Sequence, residues 1–158
     1  MAEFTHLAAD GSARMVDVSE RVVTDRASTA EGKVLLAPTT IERIRDAALP
    51  KGDVISTARL AGIMAAKRTS DLIPMCHPIA ITYADVALQV QDWGIEISAD
   101  VRIKDRTGVE MEALTAVTVA GLTIIDMVKS LDPAASLTDI RVTAKSGGRS
   151  GDWRNPNG

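Results

Sequence analysis

From Ile79 to about Lys104 the chain alternates apolar and polar positions with a period of two. Val86, Leu88 and Val90 form one run, and Ile95, Ile97, Ala99, Val101 and Ile103 form the next. Gln91-Asp92-Trp93-Gly94 separates them as a turn, so the stretch predicts a pair of antiparallel strands. Upstream, Lys33 to Ala37 is a short β-type run that stops at Pro38. A short helix from about Thr40 to Ala48 follows, with Thr39 as N-cap, Glu42 as its capping-box partner and Pro50 closing it. Asp53 can cap a second helix running to about Arg68, rich in small residues: Ala58, Ala61, Gly62, Ala65 and Ala66. A long helix takes Gly108 to about Leu131, and Ile140 to Ala144 reads as a last strand. Residues 1–30 are polar and turn-rich, an extended arm with short strand character at Met15–Val18 and Val22-Val23.

The order from Lys33 is β, helix, helix, β, β, helix, β. With the first two helices merged this is the split βαβ pattern, an α+β, ferredoxin-like antiparallel sheet with helices packed on one face. Such a fold hosts many unrelated activities and names none of them.

The long helix is the most informative segment. Thirteen residues from Ala113 to Ile125 carry no charge. At 100° per residue Leu114, Val117, Gly121, Ile124, Ile125 and Val128 share a face suited to a sheet. The opposite face holds Glu112, Thr115, Val119, Leu122 and Asp126, with Lys129 at its edge; it is small and apolar rather than solvated. Such a helix can simply line a subunit interface. Alternatively, Asp126 and Lys129, three residues apart and able to meet, form an acid–base pair. Glu112 and Asp126 stand ~21 Å apart along the helix, too far to serve one small reacting centre unless an oligomer brings one chain's Glu112 to another's Asp126.

Composition narrows the partners. The 158 residues carry 18 Lys and Arg against 21 Asp and Glu, a net charge of −3, and aromatics make up 3%. A net acidic chain nearly without stacking rings suits neither a duplex backbone nor a single-strand platform. Close approach of Ala-, Val-, Ile- and Leu-bearing elements must build the core. The longest uncharged runs fall short of the roughly 18 residues of a membrane span, and MAEFTHLAADGSAR shows no signal-peptide core. The lone Cys76 fits a reducing, cytoplasmic setting. Basic islands offset the overall charge: Lys51, Arg59, Lys67 and Arg68 in one region, and Arg141, Lys145, Arg149 and Arg154 against Asp152 in another. They suit a small phosphorylated ligand.

Two further segments carry candidate chemistry. In Leu72-Ile73-Pro74-Met75-Cys76-His77-Pro78 two prolines hold an extended chain, so Cys76 and His77 point to opposite sides and do not share a metal ion. With His6 and His77 the only histidines, a zinc site is not expected. His77 is either a satisfied core histidine or a hydrogen-bonding group facing a ligand. In Lys145-Ser146-Gly147-Gly148-Arg149-Ser150-Gly151-Asp152 the glycines let backbone N–H groups approach an anion, although this is not a Walker A loop and such an end is commonly just mobile.

The strings Met15-Val16-Asp17-Val18-Ser19, Lys51-Gly52-Asp53, Ala65-Ala66-Lys67-Arg68-Thr69, Asp71-Leu72-Ile73-Pro74-Met75-Cys76-His77-Pro78, Thr107-Gly108-Val109-Glu110-Met111-Glu112-Ala113-Leu114-Thr115-Ala116, Asp126-Met127 with Lys129, and Ala144-Lys145-Ser146-Gly147-Gly148 closely resemble the MoaC family, in its order, from about Thr5 to Asp152. The resemblance implies one MoaC-like domain over residues 1–158, with the arm at 1–30 and a glycine-rich end at 146–158. It implies a lyase of molybdenum-cofactor biosynthesis, a cyclic pyranopterin monophosphate synthase. Such enzymes rearrange (8S)-3′,8-cyclo-7,8-dihydroguanosine 5′-triphosphate and release pyrophosphate. It also implies hexamers built from dimers, with active sites at subunit interfaces.

Carried over by position, the resemblance makes Asp126, Lys51 and Lys129 catalytic, and Met75, Cys76, His77, Met111, Glu112 and Lys145 substrate-binding. It calls for no cofactor, though Mg²⁺ can accompany the substrate phosphates. Met75, Gly121, Ile125 and Arg149 depart mildly from the family pattern, and none of them removes an ionisable group. The reading set against it is a ferredoxin-like module that binds a small phosphorylated ligand without turnover.

Overall fold

The computed structural model describes residues 7, 8 and 10–156; Phe4, Thr5 and His6 lie outside the described residues. The elements in chain order are β1 (Thr24–Leu35), α1 (Pro38–Arg45), α2 (Val54–Ala66), α3 (Thr69–Leu72), β2 (Ile81–Gln91), β3 (Gly94–Asp105), α4 (Glu110–Val128), β4 (Ser136–Ser146) and β5 (Trp153–Arg154). The strands form one antiparallel sheet in the order β2-β3-β1-β4-β5. Its first four strands have the connectivity expected of a ferredoxin-like α+β fold, and α2 and α4 cover the sheet.

The β2–β3 hairpin follows the alternation closely. Ile95, Ile97, Ala99, Val101 and Ile103 are all buried, one face of β3 against the helices. β1 is much longer than the 33–37 run suggested, and the arm ends at residue 23 rather than 30. Its inward positions are Ser28, Ala30, Gly32 and Val34, three of them too small to register as a hydrophobic alternation. They are small because α4 crosses them closely. A Cβ on Gly32 would come within 2.6 Å of Val117 Cγ1, and one on Gly121 within 2.5 Å of the Leu137 side chain.

Three other boundaries differ from expectation. Helix α1 starts at Pro38 with Ala37 as N-cap, and neither Thr39 nor Glu42 caps it. Proline at the first helical position needs no N–H partner, and the buried Asp132 carboxylate accepts the Ala37 N–H at 2.7 Å instead. Strand β4 extends on both sides of residues 140–144, through register shifts against β1 and a left-handed Asp139 (φ 56°) that interrupt its pattern. The chain after Ser146 is not a loose tail. It doubles back so that β5 pairs with β4, and the Asn155 N–H reaches the Thr143 carbonyl at 2.8 Å. The short α3 has no counterpart in the sequence reading.

Helix α4 is also long and apolar enough, at 19 residues and a mean hydropathy of 1.6, to cross a membrane by length and composition. Counting uninterrupted uncharged residues passed over this. Here it is a core helix: Ala113, Ala116, Val117, Ala120, Ile124 and Val128 are buried against the sheet and α2. Among the described residues, the aromatics stay at the edges. Trp93 lies in the hairpin turn with Lys33 Nζ 5.7 Å from its ring centroid, and Tyr83 on β2 lies under Arg102 at 4.7 Å.

Candidate active site

Two clusters form at opposite ends of α4. The first gathers around Asp126. Leu49 is buried, and Gly52, in the left-handed region (φ 88°), returns its N–H to the Leu49 carbonyl at 3.1 Å. That tight turn, ending at Asp53, whose side chain caps α2 as expected, projects Lys51 at the C-terminus of α4. There Lys51 Nζ donates to the Asp126 backbone carbonyl at 2.6 Å and contacts Asp126 Oδ2 at 3.1 Å. The carbonyl is one of those a helix end leaves without an intrahelical partner, and a cation there also suits the helix dipole. Lys129 Nζ, one turn along, meets Asp126 Oδ1 at 2.6 Å. The carboxylate is thus held between two ammonium groups, which keep its pKa below the usual range, Lys129 contributing most and Lys51 next. All three side chains are open to solvent on this face of the chain, 44–62% exposed.

The second cluster lines a cavity of about 380 Å³ where the Met75–His77 segment meets the start of α4. Met75, Cys76, His77, Met111 and Glu112 all face it. The half-buried His77 contacts the Val16 carbonyl through Nε2 at 2.8 Å. A carbonyl only accepts, so Nε2 carries the proton. This bond ties the N-terminal arm to the cavity rim. Cys76 is a poor thiolate, because burial first, and the Glu112 charge second, push its pKa up.

Glu112 is only 3% exposed. Burial, reinforced by neighbouring Glu110, raises its pKa to about 7. A carboxyl so placed changes ionisation at neutral pH, and it makes folding pH-dependent. Below about pH 4.5 it is neutral in both states. As pH rises, the unfolded chain ionises first, so this contribution to stability fades between about 4.5 and 7 and stays lost above. Glu112→Gln should therefore melt like the parent at pH 4 and be more stable at pH 8, by roughly 1–3 kcal/mol. Thermal melts across that range check the sign.

Lys145 does not line this cavity. Its Nζ pairs with Glu110 Oε1 at 3.0 Å, and Glu110 stands in the cavity wall, so Lys145 approaches through an intermediary carboxylate. The structure therefore brings Lys51, Asp126 and Lys129 together, brings the Met75–His77 and Met111-Glu112 stretches together, and keeps the two groups ~21 Å apart along α4. Sequence reasoning assigned no role to Glu110 or to Arg21, which also reaches the cavity. The acid two residues before Glu112 was the available signal for Glu110. Arg21 sits in an arm with no periodicity to mark it. Among the described residues, no group of three or more His, Cys, Asp and Glu side chains is placed to hold a metal ion.

Comparisons with known proteins bear on the same residues. The family model described as MoaC family matches residues 15–148. A curated protein of Streptomyces griseus subsp. griseus called cyclic pyranopterin monophosphate synthase is 59% identical over 150 residues, 95% of this chain and 85% of its own length. One of the same name from a Nocardioides species is 55% identical over 155 residues, 96% and 95% of the two chains. Cyclic pyranopterin monophosphate synthase 2 of Mycobacterium bovis is 54% identical over 151 residues, 96% and 90%. The matched span takes in both ends of α4 and every residue of the two clusters, and the chain belongs to the MoaC family.

Proposed function

We propose that this chain is a lyase of molybdenum-cofactor biosynthesis. It converts (8S)-3′,8-cyclo-7,8-dihydroguanosine 5′-triphosphate to cyclic pyranopterin monophosphate and releases pyrophosphate. Relatives of that name, more than half identical over nearly the whole chain, support the activity. The observation that carries the chemistry is the Asp126 carboxylate between Lys51 and Lys129, at 3.1 and 2.6 Å. Opening an imidazole ring and closing a pyrazine ring moves protons without net oxidation. A carboxylate base beside two ammonium acids provides both directions of transfer at one place. Asp126 and Lys129 take the acid–base work, while Lys51 and Lys145 share proton transfer and phosphate contact, offsetting charge on the departing pyrophosphate.

The cavity of about 380 Å³ is of a size to take the ring system. Met75 and Met111 offer thioether surface, and Cys76, His77 and Glu112 offer polar contacts. Since His77 uses Nε2 on Val16, its Nδ1 is the atom left for substrate. The reaction requires no redox cofactor, and Mg²⁺ would arrive with the substrate phosphates.

A working oligomer would account for the separation of the two clusters, and a hexamer, as a trimer of dimers, is the assembly that membership of the family suggests. One chain's Asp126 group would complete the cavity of its neighbour. The helix layer supports this: Leu60, Met64 and Leu122 are 59, 50 and 54% exposed on one chain, more apolar surface than such a layer would leave in water. The cytoplasm, with its nucleotide supply, is the proposed location.

Incubating the purified protein with the cyclised triphosphate tests the activity. Pyrophosphate and the pterin should appear together in equal amounts. A folded oligomer yielding neither would overturn the proposal. A module that only binds its phosphorylated ligand would show saturable binding and no product.

A further inference from the structure

Asp132, just past Lys129 at the end of α4, is only 5% exposed, and among the described residues no cation pairs with it. A buried carboxylate without a counter-charge is costly, so the bond it makes needs a reason. Its Oδ2 accepts the Ala37 N–H at 2.7 Å. Ala37 is the N-cap of α1, and the N–H of an N-cap residue is ordinarily satisfied by a Glu or Gln three residues on. Thr40 stands at that place, and no side chain of α1 caps the helix. The acceptor comes instead from the far end of α4.

That bond ties two segments together. On one side, Asp132 continues the last turn of α4. The Leu131 and Asp132 N–H groups both reach the Val128 carbonyl, at 2.8 and 2.9 Å, and the Ala135 N–H returns to the Asp132 carbonyl at 3.2 Å. Lys129 is the C-cap residue of the helix, and its Nζ meets Asp126 Oδ1 at 2.6 Å. On the other side, Ala37 opens α1, which is anchored by the buried Ile41 and Ile44 and followed by the turn that carries Lys51. The segment supplying Asp126 and Lys129 is thus joined to the segment leading to Lys51. Helix ends fray within their last turn, which is where Lys129 lies, and a misplacement of about 1 Å can cost a reaction about a hundredfold.

We infer that Asp132 is a positioning residue for the Asp126 cluster. Its bond to the Ala37 N–H fixes the end of α4 against the start of α1, and so holds Lys129 and Lys51 on the Asp126 carboxylate. The placement stands on the geometry alone; its effect on turnover rests on the proposed function.

The bond can be broken from either side. Asp132→Ala removes the acceptor. Ala37→Pro removes the donor at a residue whose φ of −64° is already that of proline, and it serves if the first variant does not fold. Asp132→Asn keeps an oxygen able to accept the same bond. Each variant is melted first, and measurements are made at a temperature where it is folded. Acylation with limiting acetic anhydride, read by mass spectrometry, reports placement without substrate. In Asp132→Ala and Ala37→Pro, Lys51 and Lys129 should react about threefold faster or more, relative to the exposed Lys67 and Lys104. Asp132→Asn should react as the parent does. In turnover assays the two bond-breaking variants should lose about ten- to a hundredfold in kcat, with KM changed less, and Asp132→Asn should keep most of the parent's kcat. A residue that only supports the fold would lower the melting temperature and leave the folded protein's acylation pattern and kcat alone. Either of these unchanged in the bond-breaking variants overturns the inference. A loss in Asp132→Asn equal to that in Asp132→Ala also overturns it, since the bond would then not be what matters. Absence of turnover by the parent sinks the synthase reading, and the acylation pattern still decides whether Asp132 holds the cluster.

Discussion

Asp126→Asn should lower kcat by about two to four orders of magnitude while leaving KM close to that of the parent. The amide keeps the size of the carboxylate but offers one acceptor oxygen, where the carboxylate gives one oxygen to Lys51 at 3.1 Å and the other to Lys129 at 2.6 Å. It cannot take a proton, and it no longer balances the two ammonium charges. Because Asp126 is 59% exposed at the end of its helix, the fold should barely notice, and the melting temperature should move by no more than about 2 °C. Pyrophosphate release under saturating substrate reads kcat directly. A variant retaining a third or more of the parent's kcat would remove Asp126 from the chemistry. Asp126 ionises below the usual carboxylate range, so acid should silence the enzyme only at low pH through this group. A loss of activity near neutrality would point to Glu112, whose pKa is about 7.

The second large effect is on stability. Gly62 lies where α2 crosses α4, and a Cβ there would stand 2.9 Å from the Ala116 carbonyl oxygen, 3.2 Å from Val86 Cγ2 and 3.3 Å from Ala120 Cβ. Two of these neighbours are fully buried and the third is helix backbone, so none can yield cheaply. Gly62→Ala sets an overpacking cost of about 1–3 kcal/mol against a gain of about 1 kcal/mol in helix propensity and should be mildly destabilising. Gly62→Leu forces the helices apart and should cost about 3 kcal/mol or more. For a chain of this length that lowers the melting temperature by roughly 6–12 °C. Equal melting of the two variants would mean that the helices are free to separate.

That close crossing explains what was legible in the sequence. The scarcity of aromatics, 3% of the chain, pointed to small residues and near contact between backbones, and Gly32, Gly62 and Gly121 are where that contact occurs. The same small residues hid β1. Ser28, Ala30 and Gly32 face the core yet lack the bulk by which a buried strand face is recognised. β3, whose inward face is Ile, Ile, Ala, Val and Ile, was plain. Asp53 announced the start of α2 by its side-chain chemistry, whereas α1 uses a backbone cap satisfied by Asp132, some 95 residues away in sequence, which no local pattern can show.

The site was legible in pieces. Asp126 and Lys129 stood out as a charged turn on an uncharged helix, and the spacing to Glu112 already implied two locations. Lys51 joins them only through the fold, by a turn that delivers it to the helix end. Arg21 escaped because it sits in the arm, where neither periodicity nor composition marks a function. Lys145 stands beside the cavity, paired with Glu110 of its wall, an arrangement that depends on β4 lying beside the start of α4.

The central claim is that Lys51, Asp126 and Lys129 of one chain act on substrate held in the Glu112 cavity of another. It is tested most directly by mixing defects. Asp126→Asn and Glu112→Gln chains, each first assayed alone to establish that it is inactive, are co-expressed with different tags and the mixed oligomers isolated. If the site is shared between chains, random assembly leaves about a quarter of the sites with both halves intact, and pyrophosphate release should return to about that fraction of the parent's rate. Mixed oligomers that stay inactive, beside a parent that turns over, would contradict the account and place the whole reaction within a single chain.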